Sequence, residues 1–359
     1  MILTILAFLF VLGVLVLVHE FGHFIAAKKA GVKVEEFAFG FPPRLFSAKR
    51  GETRYSINAI PFGGYVKMLG ELEHSNHPRA FENQSTLKRF VISIAGVVMN
   101  ILLAWVILTV GFAVGMSPIV SNPNAIPGQK LSSEIIVADV QADSPASKAG
   151  LEQGDVLLGA TVSGQNIPFD EAGDVGALTK SHRGEKVVFQ YERLDKTAER
   201  EVQLSDSQDA PLGVAVAERS IVRVPWYRAP YVALHETWKV VEATFSMLKN
   251  FVSDLFSTGK VADEVGGPVA VYVYSGLAAR AGLMVFMQFI AMLSINLALI
   301  NILPFPALDG GRLLFIALEG IRGKKVVREE LENIIHTIGF VLLIILLVAI
   351  TYRDIIKLF

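Results

Sequence analysis

The stretch 16-VLVHEFGHFIAA-27 places two histidines and a glutamate at the end of an apolar run. Residues Ile2 to Val18 read as the body of a membrane helix, since roughly 20 apolar residues at about 1.5 Å each cross about 30 Å of hydrocarbon. An ionisable group at the centre of such a helix costs on the order of 2.5–3.5 kcal/mol and marks function by default. The composition of the 359-residue chain agrees: 52% is hydrophobic, 19% is charged, and the mean hydropathy is +0.48. Soluble domains carry about 25% charged residues, so membrane segments are joined here to a water-soluble part. A net charge of −1, with no basic cluster interleaved with aromatics, excludes strong attraction to nucleic acid. The absence of cysteine excludes disulfides, thiolate zinc sites and cysteine nucleophiles. Any metal site is built from His, Asp and Glu.

The N-terminal run lacks the basic flank of a signal peptide and exceeds its roughly 7–15 apolar residues, which makes it a retained helix. Four stretches are long enough to span: about 2–26, 90–115, 283–303 and 334–351. The loops after the first and third hold most of the basic residues near the spans, among them Lys28, Lys29, Arg44, Arg322 and Lys324. By the positive-inside rule both loops are cytoplasmic, and 117–282 face the other side. The expected architecture is a multi-pass α-helical membrane protein with four transmembrane helices, a membrane-associated β-hairpin region and one inserted β-rich domain. Its divisions are 1–117, 118–225, 226–282 and 283–359.

The segment 54-RYSINAIPFGGYVKMLGE-71 predicts extended runs around a bend at Gly63–Gly64. Within 118–225, the runs 134–140, 155–162, 186–192 and 199–204 predict short strands, with helical inserts at 145–150 and 170–180. In 230–258, Leu234, Trp238, Val241, Phe245, Leu248, Val252 and Leu255 form one apolar stripe. Glu236, Lys239, Glu242 and Lys249 exclude a span, so this helix lies on the membrane surface or packs on the protein.

His19 and His23 are four residues apart and share a helix face, supplying two corners of a tetrahedral zinc site. Glu20 beside them is placed to act as general base toward water. Zinc binding, at roughly 10–16 kcal/mol in small peptides, outweighs the burial of these groups. The third ligand is sought at the same depth, in 293-LSINLALINILPFPALDGGRLLF-315. There Asp309 follows a helix broken by Pro304 and Pro306 at the cytoplasmic face. Taken alone Asp309 reads as the turn residue of an Asp-Gly pair; taken with His19 and His23 it reads as a ligand. A structural zinc takes four protein ligands, and only three are found, which leaves a position open. His74, His77, His182, His235 and His336 read as surface or core residues.

Together 19-HEFGH-23 and 308-LDG-310 resemble the H-E-x-G-H and L-D-G motifs of the site-2 protease family of intramembrane zinc metalloproteases, in the expected order and over essentially the whole chain. The bacterial RseP-type branch is the most similar. The resemblance implies zinc on His19, His23 and Asp309, Glu20 as base, and cleavage within or beside a membrane span. It implies that Asn296 and Asn301 hold the substrate backbone. It also implies that 61-PFGGYVKM-68, with Gly63, Gly64 and Tyr65, pairs edgewise with the substrate. The run 95-AGVVMN-100 is similar to the second-helix signature, with Asn100 its polar member. Residues 143-DSPASKAGLEQGDVLL-158 resemble a PDZ domain, in which Leu212, Gly213 and Val214 form the carboxylate-receiving loop. Only one such domain fits in 118–225, whereas some relatives carry two. The amphipathic stretch occupies the place of the family's substrate-gating helices. The implied partners are the lipid bilayer and single-pass membrane substrates, such as anti-sigma factors or remnant signal peptides. The implied location is a bacterial inner membrane, with the active site near the cytoplasmic face and the PDZ domain outside. The rival reading is a non-catalytic PDZ scaffold with a structural metal site.

Overall fold

Ile2–Ala30 contains no proline, and Lys28 and Lys29 fall in its last turn, where cations suit the helix dipole. It forms α1 (Ile2–Ala30). Gly31 closes it in the left-handed region (φ 85°), with Gly31 N–H on Lys28 O and Val32 N–H on Ala27 O, a Schellman motif. The computed structural model describes residues 2–71, 73–193, 196–258, 266–323 and 329–356.

Two long strands follow, β1 (Val34–Arg50) and β2 (Thr53–Met68). Both bend back on themselves. Phe37 stands opposite Val66 on one side and Tyr55 on the other, and Ala38 opposite Tyr65 and Ser56. Segment 34–39 is thus flanked by both ends of β2, and among the described residues no strand covers the outer edge of 64–68. The reversal expected at the glycine-rich bend is present: β2 turns back between Ile57 and Gly64, which stand on either side of the same Phe39, and a second, tight turn lies at Gly51–Glu52. Gly64 also allows close approach. A Cβ on Gly64 would lie 2.9 Å from Ala38 O and 3.3 Å from Glu20 Cγ.

After α2 (Thr86–Val114) the chain forms a compact unit, Phe112–Ala229, with its own sheet. Its elements are β3 (Gln129–Val140), α3 (Pro145–Ala149), β4 (Val156–Val162), β5 (Gln165–Pro168), α4 (Ala172–Ser181), β6 (Lys186–Arg193), β7 (Lys196–Gln203) and β8 (Val214–Arg223). The order is β7-β6-β4-β3-β8, with β5 on β4, all antiparallel. Ile135, Val137, Leu157, Phe189 and Val202 are buried in its core. Ser144 caps α3, and a Glu171–Asp174 capping box starts α4. The four expected strands lie in β3, β4, β6 and β7. The polar four-residue β5 and the charge-interrupted β8 carry no clean alternation and were not foreseen.

The second unit joins Met1–Gly111 with Pro230–Phe359. Its later helices are α5 (Ala229–Thr258), α6 (Pro268–Arg280), α7 (Leu283–Ile302), α8 (Asp309–Arg322) and α9 (Glu329–Ile356). Where one amphipathic helix and a linker were expected, α6 is a second helix. Its sequence PVAVYVYSGLAAR favours strand by propensity, and packing against α1 and α7 overrides that. Among the described residues, four helices are long and apolar enough to cross a membrane: Ile2–Ala30, Thr86–Val114, Leu283–Ile302 and Ile334–Ile356. In the last, Ile338, Val341, Leu342, Ile345 and Val348 are all exposed, which suits a lipid surround.

Candidate metal centre

Helix α1 presents His19 and His23 one turn apart, and Asp309 is the first residue of α8. Their ligand atoms meet. His19 Nε2 is 2.9 Å from Asp309 Oδ2, His23 Nε2 is 3.2 Å from the same oxygen, and the two Nε2 atoms are 3.3 Å apart. A tetrahedral zinc with bonds of about 2.0–2.1 Å holds its ligand atoms about 3.3 Å from one another. The triangle therefore fits one face of a zinc tetrahedron. Behind it, His23 Nδ1–H donates to Ile92 O at 2.8 Å, which leaves the lone pair on Nε2 facing Asp309.

Asp309 arrives there because the loop before it is pinned. A Cβ on Gly310 would strike the carbonyls of Ile302 and Leu303, so only glycine lets the first turn of α8 sit so close. From α9, His336 Nδ1 accepts the Ala307 N–H at 3.0 Å and Gly339 packs on Pro306. Ala307 is held at φ 78°, strained for a residue with a Cβ. His336 is thus neither a ligand nor a plain core residue but a clamp on the loop.

Sequence reasoning also missed Gly96. A Cβ there would lie 2.7 Å from His19 Nε2 and press on His23 Nε2. The one available signal was the small-residue start of 95-AGVVMN-100.

The centre opens into a cavity of about 190 Å³, lined by His19, Glu20, His23, Tyr65, Glu71 and Asp309 among others. Arg312, also in the lining, is ion-paired with Glu71, tying α8 to the segment after β2. Of the other expected site residues, Tyr65 faces this cavity and Gly64 adjoins Glu20, while Gly63 packs on Phe41. Asn296 and Asn301 do not line it; Asn296 Oδ1 accepts the Thr244 hydroxyl of α5 at 2.9 Å. Leu212, Gly213 (φ 75°) and Val214 lead into β8 of the other unit.

A membrane fold carrying a two-histidine, one-carboxylate centre with a glutamate at its cavity defines the class: an intramembrane zinc metalloprotease. Residues 7–346 match Peptidase family M50, and the chain belongs to that family, the site-2 proteases. A relative from Clostridium acetobutylicum is 36% identical over 356 residues, covering 99% of this chain and 97% of its own. Zinc metalloprotease RasP of Shouchella clausii is 32% identical over 443 residues, with 99% of both chains covered. The chloroplastic membrane metalloprotease ARASP of Arabidopsis thaliana is 33% identical over 357 residues, covering 96% of this chain and 77% of its own.

Proposed function

We infer that this zinc metalloprotease cleaves peptide bonds within or beside the membrane-spanning segments of other proteins, by the site-2 mode. One observation carries the reading: three ligand atoms spaced for zinc converge with Glu20 on one cavity at the end of a membrane helix. His19, His23 and Asp309 hold the metal. Bound there, zinc supplies Lewis acidity, polarising the scissile carbonyl and making water a usable nucleophile near neutral pH. Glu20 takes the proton from the attacking water and delivers it to the leaving amine nitrogen.

A helical substrate hides its carbonyls in its own hydrogen bonds and must be unwound. The uncovered edge of 64–68, ending at Tyr65 beside the cavity, supports capture of the unwound stretch as an added strand. Asn296 and Asn301 then hold substrate amides, Asn296 after α5 has released it from Thr244. Residues 118–225 act as a PDZ domain whose loop Leu212, Gly213 and Val214 receives a carboxylate; the antiparallel sheet with two helices supports this. Positive-inside reasoning puts the cleavage site near the cytoplasmic face and 118–225 across the membrane. Substrates are single-pass proteins of the anti-sigma-factor or remnant-signal-peptide kind.

Purified protein incubated with a model transmembrane substrate tests this. Cleavage is expected to stop with chelator and in Glu20→Gln, with zinc content and folding of that variant retained. Cleavage that survives both treatments overturns the mechanism, and unchanged cellular function in Glu20→Gln favours a PDZ scaffold with a structural metal.

A further inference from the structure

We propose that Asn100 is a positioning residue for the metal centre: its side-chain carbonyl accepts the Nδ1–H of His19, fixing the tautomer that turns the Nε2 lone pair toward the metal. This rests on the reading of His19, His23 and Asp309 as ligands.

Asn100 is fully buried on α2, where its backbone carbonyl accepts the Ser294 hydroxyl of α7 at 2.8 Å. Its amide meets His19 Nδ1 at 3.3 Å, with the nitrogen Nδ2 placed nearest. A donor in that place would require the lone pair on Nδ1 and put the proton on Nε2, the atom 2.9 Å from Asp309. That tautomer cannot ligate a metal through Nε2, the atom that faces Asp309 and His23. Amide oxygen and nitrogen are told apart only by their bonds, and Asn100 Oδ1 has no partner that would hold it on the other side. Rotating the amide by half a turn presents Oδ1 to His19 Nδ1–H. His23 is served in the same way by Ile92 O. Ile92, Gly96 and Asn100 follow each other at steps of four on α2, matching the step from His23 to His19. The helix thus offers one acceptor behind each imidazole, with a glycine between them to leave room for the rings.

The test measures zinc per chain after dialysis of the full-length protein against graded chelator. Asn100→Leu keeps the volume and removes the acceptor; Asn100→Asp keeps acceptors and removes the N–H. Zinc retention is expected to weaken about 10–100-fold in Asn100→Leu and to stay at the wild-type level or above in Asn100→Asp. Wild-type retention in Asn100→Leu, or loss in Asn100→Asp, overturns the proposal. If Asn100→Leu fails to fold, the Asp variant decides alone, because a donor role cannot survive it. Wild-type protein that binds no more zinc than His19→Ala overturns the metal reading and this proposal together. Bound zinc that is indifferent to Asn100→Leu overturns this proposal only.

Discussion

A single methyl group separates a helix that admits the two histidines from one that does not. In Gly96→Ala the added carbon would lie 2.7 Å from His19 Nε2 and press on His23 Nε2. Alanine is otherwise favoured over glycine within a helix by roughly 1 kcal/mol, so α2 itself gains by the change. The expected variant is helical by circular dichroism yet depleted of zinc; a full zinc complement would show that the rings are placed differently. His19, Glu20 and His23 could be recognised in the sequence because they are local, one helix turn of costly groups in an apolar run. Asp309 needed a second premise, equal depth in the membrane. Gly96 showed only as one of the small residues that begin 95-AGVVMN-100, and His336 carried no signal of its role, because each acts on another element through a contact that no spacing encodes.

The β1–β2 hairpin carries the free edge, and its turn is tied down by charge. Glu52 accepts from Arg79 Nη1 and Nη2, both at 2.8 Å, and from Lys28 Nζ at 2.7 Å. The hydrogen bonds from Arg79, then from Lys28, pull its carboxyl from an ordinary 4.5 to about 2. A carboxyl depressed by folding contributes stability above its unfolded pKa of about 4.3, and that contribution is lost as pH falls toward the folded value. The tie is therefore complete at neutral pH and weakens between pH 4.5 and 2. Hydrogen exchange at residues 50–53, corrected for intrinsic rate, is expected to rise across this window in the wild type. In Glu52→Gln it should already be raised at pH 7 and change little on acidification; parallel curves for the two proteins would remove the ionic tie. The membrane helices could be read because lipid demands long apolar runs. The reversal of β2 before Gly64 could be read from Pro61 and the glycine pair, whereas the contacts of Gly63 and Gly64 with Phe41, Ala38 and α1 could not, because no local pattern encodes them.

Each of the two compact units has its own core, and each is held by a different device that can be removed separately. The sequence marked the inserted unit by its change of composition. Its limits at Phe112 and Ala229 depend on backbone bonds, Val224 N–H to Phe112 O and Met116 with Val222, that join segments distant in the chain. In that unit Arg193 grips the buried Asp155 with Nε on Oδ1 at 2.6 Å and Nη2 on Oδ2 at 2.7 Å. Arg193→Ala leaves the carboxylate buried without its cation, at roughly 1–3 kcal/mol once the arginine's partial exposure is discounted. In the other unit, zinc at about 100 times its Kd adds about 2.7 kcal/mol, and chelation removes it. Hydrogen exchange followed segment by segment should separate the two effects. Chelator is expected to raise exchange around His19, His23 and Asp309 while leaving β4 and β6 unchanged. Arg193→Ala is expected to raise it in β4 and β6 while leaving zinc content and the metal-site helices unchanged. If chelation loosened both units to the same degree, the zinc centre would be stabilising the sheet of the inserted unit as well, and the two stabilities could not be treated separately.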